Sequence, residues 1–291
     1  MKGIDHLVLC VRDLDEARKR YSDMGFTLTP TAHHPFGTSN SLVQLYDKCF
    51  LELLAIGDRA KIAPADPGHF SFGDFNRNYI ENGPGEGLSM LVLDSTDASS
   101  DRQAYEKAGL DIYEPFGFSR RARLPDGDEV TVGFSLTFVT HQEIPSAAFF
   151  TCQQHAPEHF WKPEYQVHGN QATGIDDVIL LADDPHRYAD FLKGFTGVRE
   201  LKSWKGGVAA ETARGDVSII SLDEWDLHYP ASFAPDLAAG PCLAAYRVRV
   251  GQIEPVQERL RQAEITRIHY GRGIAVPPDE AFGVTIEFVT T

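Results

Sequence analysis

The sequence predicts an α+β protein of four βαβββ modules, paired into two cup-shaped halves, and three observations carry that prediction. The first is repetition. Gly3-Ile4-Asp5-His6-Leu7-Val8-Leu9 recurs as Gly174-Ile175-Asp176-Asp177-Val178-Ile179-Leu180, and more loosely as Gly87-Leu88-Ser89-Met90-Leu91-Val92-Leu93. The second is punctuation. Each copy leads into a charged, helix-compatible stretch with an aromatic near its end and a glycine stop: Tyr21 and Gly25, Tyr105 and Gly109, Phe195 and Gly197. About 22 residues separate the first and last glycine each time, enough for a strand, a turn and three helical turns. The third is a change of pattern after each helix, from helical spacing to short apolar runs separated by turn residues.

Taken in order, the first module continues with runs at 41–46 and 49–56, divided by Asp47-Lys48. In the second, 111–124 and 129–140 flank Pro125-Asp126-Gly127, and 147–154 follows. In the third, 207–212 and 217–222 surround Arg214-Gly215-Asp216. The fourth is faintest: a strand at 243–250, a helix at 254–263, then 267–276 and 283–290 around Pro277-Pro278. Helices on one face of each sheet leave the other face to line a cup sized for a small ligand. Residues 1–155 then form one domain and 173–291 a second, with 156–172 as a linker of prolines and polar residues. Within the first domain, 57–86 is a connecting insert. Phe72, Phe75 and Tyr79 stand there at helical spacing, either packing on a sheet edge or forming a lid.

Composition narrows the partners. The 291 residues carry a net charge of −15, which disfavours phosphate backbones and anionic lipid surfaces. We therefore expect neither nucleic acid nor a membrane as partner, and a small-molecule substrate instead. The first residues lack the apolar length of a signal peptide or span, and the four cysteines are scattered without a CxxC pair, so a cytoplasmic setting is expected. An edge-to-edge homodimer is compatible with this architecture.

The repeat motif together with Phe50-Leu51-Glu52-Leu53 resembles the vicinal oxygen chelate superfamily, and more narrowly its glyoxalase-like-domain branch. His34-Pro35-Phe36-Gly37-Thr38-Ser39-Asn40 and Cys152-Gln153-Gln154-His155 resemble that branch too. The resemblance covers nearly the whole chain. It implies paired modules of the glyoxalase/bleomycin-resistance kind and, often, a divalent metal in the cup. Members include lactoylglutathione lyase, extradiol dioxygenases, epimerases and antibiotic-binding proteins, so membership implies the fold far better than the reaction.

Strand alternation turns His6, Val8 and Cys10 to one side and Leu7 and Leu9 to the other; likewise Phe50, Glu52 and Leu54 against Leu51 and Leu53. A carboxylate in so apolar a strand must be protonated, paired or metal-bound. His6 and Glu52 match the resemblance's first-strand and last-strand ligand positions, and suit Zn, Mn, Fe or Ni. A buried His6–Glu52 ion pair is the alternative. Met90 stands where a second histidine belongs, and the matching last strand lacks a carboxylate. The third metal ligand expected is His155, with Gln153, Gln154 and His34 as further candidates. In the second half Asp177 and Glu287 occupy the ligand positions beside Arg247 and Arg249, which favours an Arg–Glu287 pair and a structural role. Arg121 and Arg123, with Arg120, are candidates for a substrate anion, and Phe50 for the substrate's wall.

The leading functional expectation is a metal-dependent lyase or isomerase acting on a small oxygenated substrate through an enediolate-type intermediate. Glu52 and His34 are its catalytic candidates, and His6, Glu52 and His155 its metal ligands. The alternatives are a metal-free protein that sequesters a small molecule, and an extradiol-type dioxygenase.

Overall fold

Capping chemistry starts the helices where the repeats place them. The computed structural model of the chain describes residues 1–123, 129–270 and 273–290, with the side chains of all but 120–123 and 129. The Pro125-Asp126-Gly127 turn and the side chains of Arg120, Arg121 and Arg123 lie outside the described residues. Strand β1 (Ile4–Cys10) leads into α1 (Leu14–Asp23), whose N-cap Asp13 accepts from the N–H groups of Asp15 and Glu16. Strand β5 (Gly87–Ser95) leads into α3 (Ala98–Lys107), capped in the same way by Asp97. Between them lie β2 (Ala32–His33), β3 (Thr38–Gln44), β4 (Phe50–Ile56) and α2 (Phe72–Glu81), the helix expected from Phe72, Phe75 and Tyr79. After α3 come β6 (Asp111–Ile112), β7 (Phe116–Arg123), β8 (Glu129–Thr140) and β9 (Ala148–Gln154).

The second half repeats the order. It runs β10 (Ala172–Leu181), α4 (Ala189–Thr196), β11 (Lys202–Trp204), β12 (Gly207–Glu211) and β13 (Asp216–Ile220). An unforeseen helix α5 (Leu222–His228) precedes β14 (Cys242–Val250), α6 (Ile253–Gln262), β15 (Ile268–Tyr270), β16 (Gly273–Val276) and β17 (Thr285–Thr290). The run expected at 267–276 is thus a hairpin of two strands. Gly25, Gly109 and Gly197 follow α1, α3 and α4 with φ of 93°, 72° and 73°. After α6 the same left-handed position is held by Glu264, φ 56°, so the fourth module lacks the glycine that marks the others.

Pairing makes the repeat physical. In every module the last strand returns parallel to the first: β1 with β4, β5 with β9, β10 with β13 and β14 with β17. First strands pair antiparallel within each half, β1 with β5 and β10 with β14. His6 lies opposite Val92 and Val8 opposite Met90, the exchange expected of two modules related by an approximate two-fold axis. Among the described residues the two sheets pair at Leu243–Leu88.

Alternation sorts the core as the pattern requires. Leu7, Leu9, Leu51 and Leu53 join a core on the helix-bearing faces that runs through both halves, including Tyr246, Val256 and Phe288. Val8, Leu54, Met90, Val92 and Phe150 line the interior of the first cup. The second cup is filled by Trp225 and Tyr229, which α5 and the residue after it supply. Among the described residues no helix is long and apolar enough to cross a membrane.

Candidate active site

Two strands and one turn bring the chemistry together at the floor of the first cup. Asp5, His6 and Glu52 are only 3 %, 5 % and 5 % exposed. Strand alternation alone would send Asp5 away from His6. A register shift between Ile4 and His6 in the pairing with β5 breaks that alternation. The Asp5 carboxylate lies 2.6 Å from His6 Nδ1, and its other oxygen accepts from Gln154 Nε2 at 3.1 Å. A carboxylate only accepts, so Nδ1 carries the proton and His6 Nε2 is left facing Glu52 Oε2 at 3.8 Å.

His34 arrives from the turn between β2 and β3. Gly37 makes that turn with φ 91°, and a Cβ there would lie 2.5 Å from the Asp58 carbonyl oxygen. The Gly37 carbonyl also accepts from the N–H groups of Gly57 and Asp58, which ties the turn to the end of β4. Asn40, on β3, donates from Nδ2 to Glu52 Oε1 at 2.6 Å. That contact fixes the amide's orientation, so the 3.3 Å approach of the same nitrogen to His34 Nε2 makes the imidazole the acceptor. His34 Nδ1 then donates to Thr38 Oγ1 at 2.8 Å. Both imidazoles therefore present Nε2 to one carboxylate, His34 Nε2 standing 3.8 Å from Glu52 Oε1.

Aromatic rings enclose this polar group. Phe50 stacks on His6 with centroids 4.2 Å apart, Phe150 meets it edge-on at 5.5 Å, and Phe36 stacks on His34 at 4.8 Å. The cavity they leave is small, about 50 Å³, and Glu52 is the sole carboxylate among the described residues that line it.

His155 is corrected. It is exposed at the end of β9, with Nε2 2.8 Å from Ser135 Oγ, and does not line the cavity. Gln153 turns the opposite way, donating to the Thr96 carbonyl and accepting from Ala98 N–H. Of the candidate third ligands, His34 is the one brought to Glu52. Phe50 lines the cavity against His6. Arg121 and Arg123 lie on β7, their side chains outside the described residues. Asp5 and Asn40 join the site without being marked in the sequence; the irregularity in β1 that recruits Asp5 has no sequence signature.

The equivalent positions elsewhere have lost this chemistry. By the two-fold pairing, Met90 holds the place of His6, and Phe150, opposite Val92, the place of Glu52 opposite Val8. In the second half Arg247 bridges Asp177 (3.1 Å) and Glu287 (2.7 Å), and Tyr229 donates to Glu287 at 2.7 Å. Burial pushes the Asp177 carboxyl up to about 7, against the pull of Arg247. The expected Arg–Glu287 pair is thus present through Arg247, whereas Arg249 pairs with Asp47.

A metal implied by this architecture can be tested against these residues. Two imidazole Nε2 atoms and a carboxylate are a suitable donor set once the Asn40 amide releases His34 Nε2, and Asp5 behind His6 is the outer partner a metal-bound histidine needs. Donors around an ion with bonds of about 2.1 Å stand roughly 3.0–3.4 Å apart, somewhat closer than the 3.8 Å seen on each side of Glu52. Among the described residues no three His, Cys, Asp or Glu side chains meet a full metal-cluster geometry. The residues fit a divalent ion in kind.

Paired βαβββ modules with an acid and an imidazole inside the cup define a protein of the vicinal oxygen chelate type. The chain belongs to the glyoxalase-like domain family, whose sequence model matches residues 4–196. No curated protein matches. Among solved structures, a hypothetical protein from Staphylococcus aureus superposes with TM-score 0.67 at 14% identity, covering all of both chains. A mutant 4-hydroxymandelate synthase from Streptomyces coelicolor gives 0.56 at 13% identity, over 99% of this chain and 92% of that one. The Mn(II)-bound glyoxalase from Novosphingobium aromaticivorans gives 0.55 at 10% identity, over 100% and 83%. Identities this low establish a shared fold.

Proposed function

We propose that the first cup is the active site of a divalent-metal-dependent lyase or isomerase acting on a small, largely apolar molecule with a carbonyl group. One observation carries this reading: Asp5 accepts from His6 Nδ1, which turns His6 Nε2 toward the buried Glu52 carboxylate at 3.8 Å. With the imidazole neutral, Nε2 and the carboxylate are two acceptors facing each other, and such a pair calls for a cation. His6, His34 and Glu52 would hold it, in place of the ligand set with His155 expected from sequence. A bound ion supplies a Lewis acid that acidifies a C–H beside a carbonyl. Glu52 is then the group to take that proton and return it, since no other carboxylate lines the cavity among the described residues. Asn40 holds one Glu52 oxygen and leaves the other directed toward His6. The phenylalanine wall excludes water and selects an apolar body.

A second reading is a metal-free binding protein in which His6 is an imidazolium between Asp5 and Glu52. Met90 and Phe150, at the places matching His6 and Glu52, favour it, as does the Asn40 amide between His34 and Glu52. Elemental analysis of protein purified without chelator separates the two readings. The metalloenzyme reading expects near-stoichiometric Mn, Fe, Ni or Zn, reduced strongly in His6→Ala and Glu52→Gln. Trace metal, with none regained on dialysis against those ions, would sink it.

A further inference from the structure

The cavity around His6 and Glu52, at about 50 Å³, is far smaller than the few hundred Å³ typical of small-molecule sites. A second space of about 240 Å³ adjoins it. Asn40, Leu42 and Phe160 stand in the walls of both, so the Phe160 ring is part of the partition. The outer space has different chemistry. Thr29, Thr31, His159, Lys162 and Tyr165 line it, and no carboxylate does among the described residues. On a chain of net charge −15, an acid-free recess with a lysine in its wall stands out as a place for an anion. The segment carrying these groups is fixed to the cup. Buried Gln44 donates to the Phe160 carbonyl at 2.9 Å and accepts from the Lys162 N–H at 3.0 Å, so one side chain clamps the backbone of both.

We propose that this outer recess is a subsite for a carboxylate. Resting on the reading of the inner cavity as a substrate site, it defines the substrate as an elongated monoacid. Its apolar head enters the phenylalanine cup beside Glu52, and its carboxylate reaches Lys162. Phe160 sets which heads pass. One lysine matches a monoanion better than a dianionic phosphate, and the threonine and tyrosine hydroxyls supply neutral donors around it.

The test is calorimetric titration of chelator-treated full-length protein with straight-chain alkanoates of increasing chain length and with their primary amides. At the best length the acid binds tighter than its amide by about tenfold or more, the worth of one charge-assisted contact. Lys162→Glu abolishes that preference while changing amide affinity by less than about twofold, and Lys162→Met gives an intermediate loss. Phe160→Ala, or Phe160→Leu where the smaller residue impairs folding, admits ω-phenylalkanoates that the wild type rejects. Equal binding of acid and amide at every length, no binding by any member, or a Lys162→Glu loss shared equally by acids and amides overturns the subsite. Metal content is measured separately. A protein that holds no metal yet keeps the Lys162-dependent preference would refute the metalloenzyme and leave the subsite standing.

Discussion

At the scale of single residues, Glu52 organises the site because an apolar strand gives its charge nowhere else to go. Asn40 donates to it at 2.6 Å, and Asn40→Ala takes that donor from a buried carboxylate oxygen. We expect it to lower stability by about 1–3 kcal/mol, measured by urea denaturation. A loss below a few tenths would mean that water or an imidazolium already serves Glu52. Asp5 acts through His6, and Asp5→Asn leaves one acceptor oxygen where His6 Nδ1 and Gln154 Nε2 now use two, so the ring's tautomer is no longer fixed. Metal affinity should then fall about 10–100-fold with the fold intact, as competition against a chromogenic chelator would show. Unchanged affinity would place the ion elsewhere. His6 and Glu52 were legible in the sequence because alternation along β4 and beyond His6 in β1 puts them on one face and the repeat aligns them. Asp5 was not, because a bulge leaves no mark in a sequence. His155 was misjudged because a strand-end residue can face solvent whatever its phase.

At the scale of elements, the segment between the halves proves to be more than a linker. Residues 156–172 follow no apolar period, and for that reason they read as a connection. Irregular backbone can still be docked through specific hydrogen bonds, and here Gln44 and His168 make them. His168 Nδ1 accepts from the Thr27 N–H at 3.0 Å, so Nε2 carries the proton and donates to the Gln44 carbonyl at 2.9 Å. Burial lowers the His168 pKa, against the carbonyl bond that raises it. A lowered histidine stabilises the fold fully above its unfolded value of about 6.5 and loses that contribution as pH falls below it. The raised Asp177 acts in the opposite sense between its unfolded value and about 7, so total stability mixes the two. The difference between wild type and His168→Gln isolates one of them. That difference should shrink as pH falls from 7 toward 5, and a difference that stays flat would show that the ring tolerates protonation in place. The fourth module was faint for a similar local reason. Glu264 holds the left-handed turn that glycine marks in the other three.

At the scale of the whole molecule, the outer faces of the two sheets share one core, and this bears on whether 1–155 and 173–291 behave as separate domains. Tyr21 of α1 and Tyr246 of β14 are both fully buried, with hydroxyls 2.8 Å apart across the halves. Tyr105 of α3 donates to the Phe195 carbonyl of α4 at 3.2 Å, and Phe149 packs against Phe191 and Phe195. The glycine-marked helices are therefore covered by the partner half as well as by their own sheet. Cutting the chain after Gln171 would expose that apolar layer, at roughly 25 cal/mol for each Å² returned to water. We expect the intact chain to unfold in one calorimetric transition whose van't Hoff and calorimetric enthalpies agree. The fragment 1–171 should bind an apolar dye and self-associate. In the tyrosine pair, each single change to phenylalanine strands a hydroxyl and should cost about 1–3 kcal/mol, whereas the double change removes both partners and should cost less than the sum. Two separate melts, with a monomeric and cooperatively folded fragment, would instead show that the halves merely touch. The inner cup, built wholly from residues of the first half and the segment after it, would then be portable on its own.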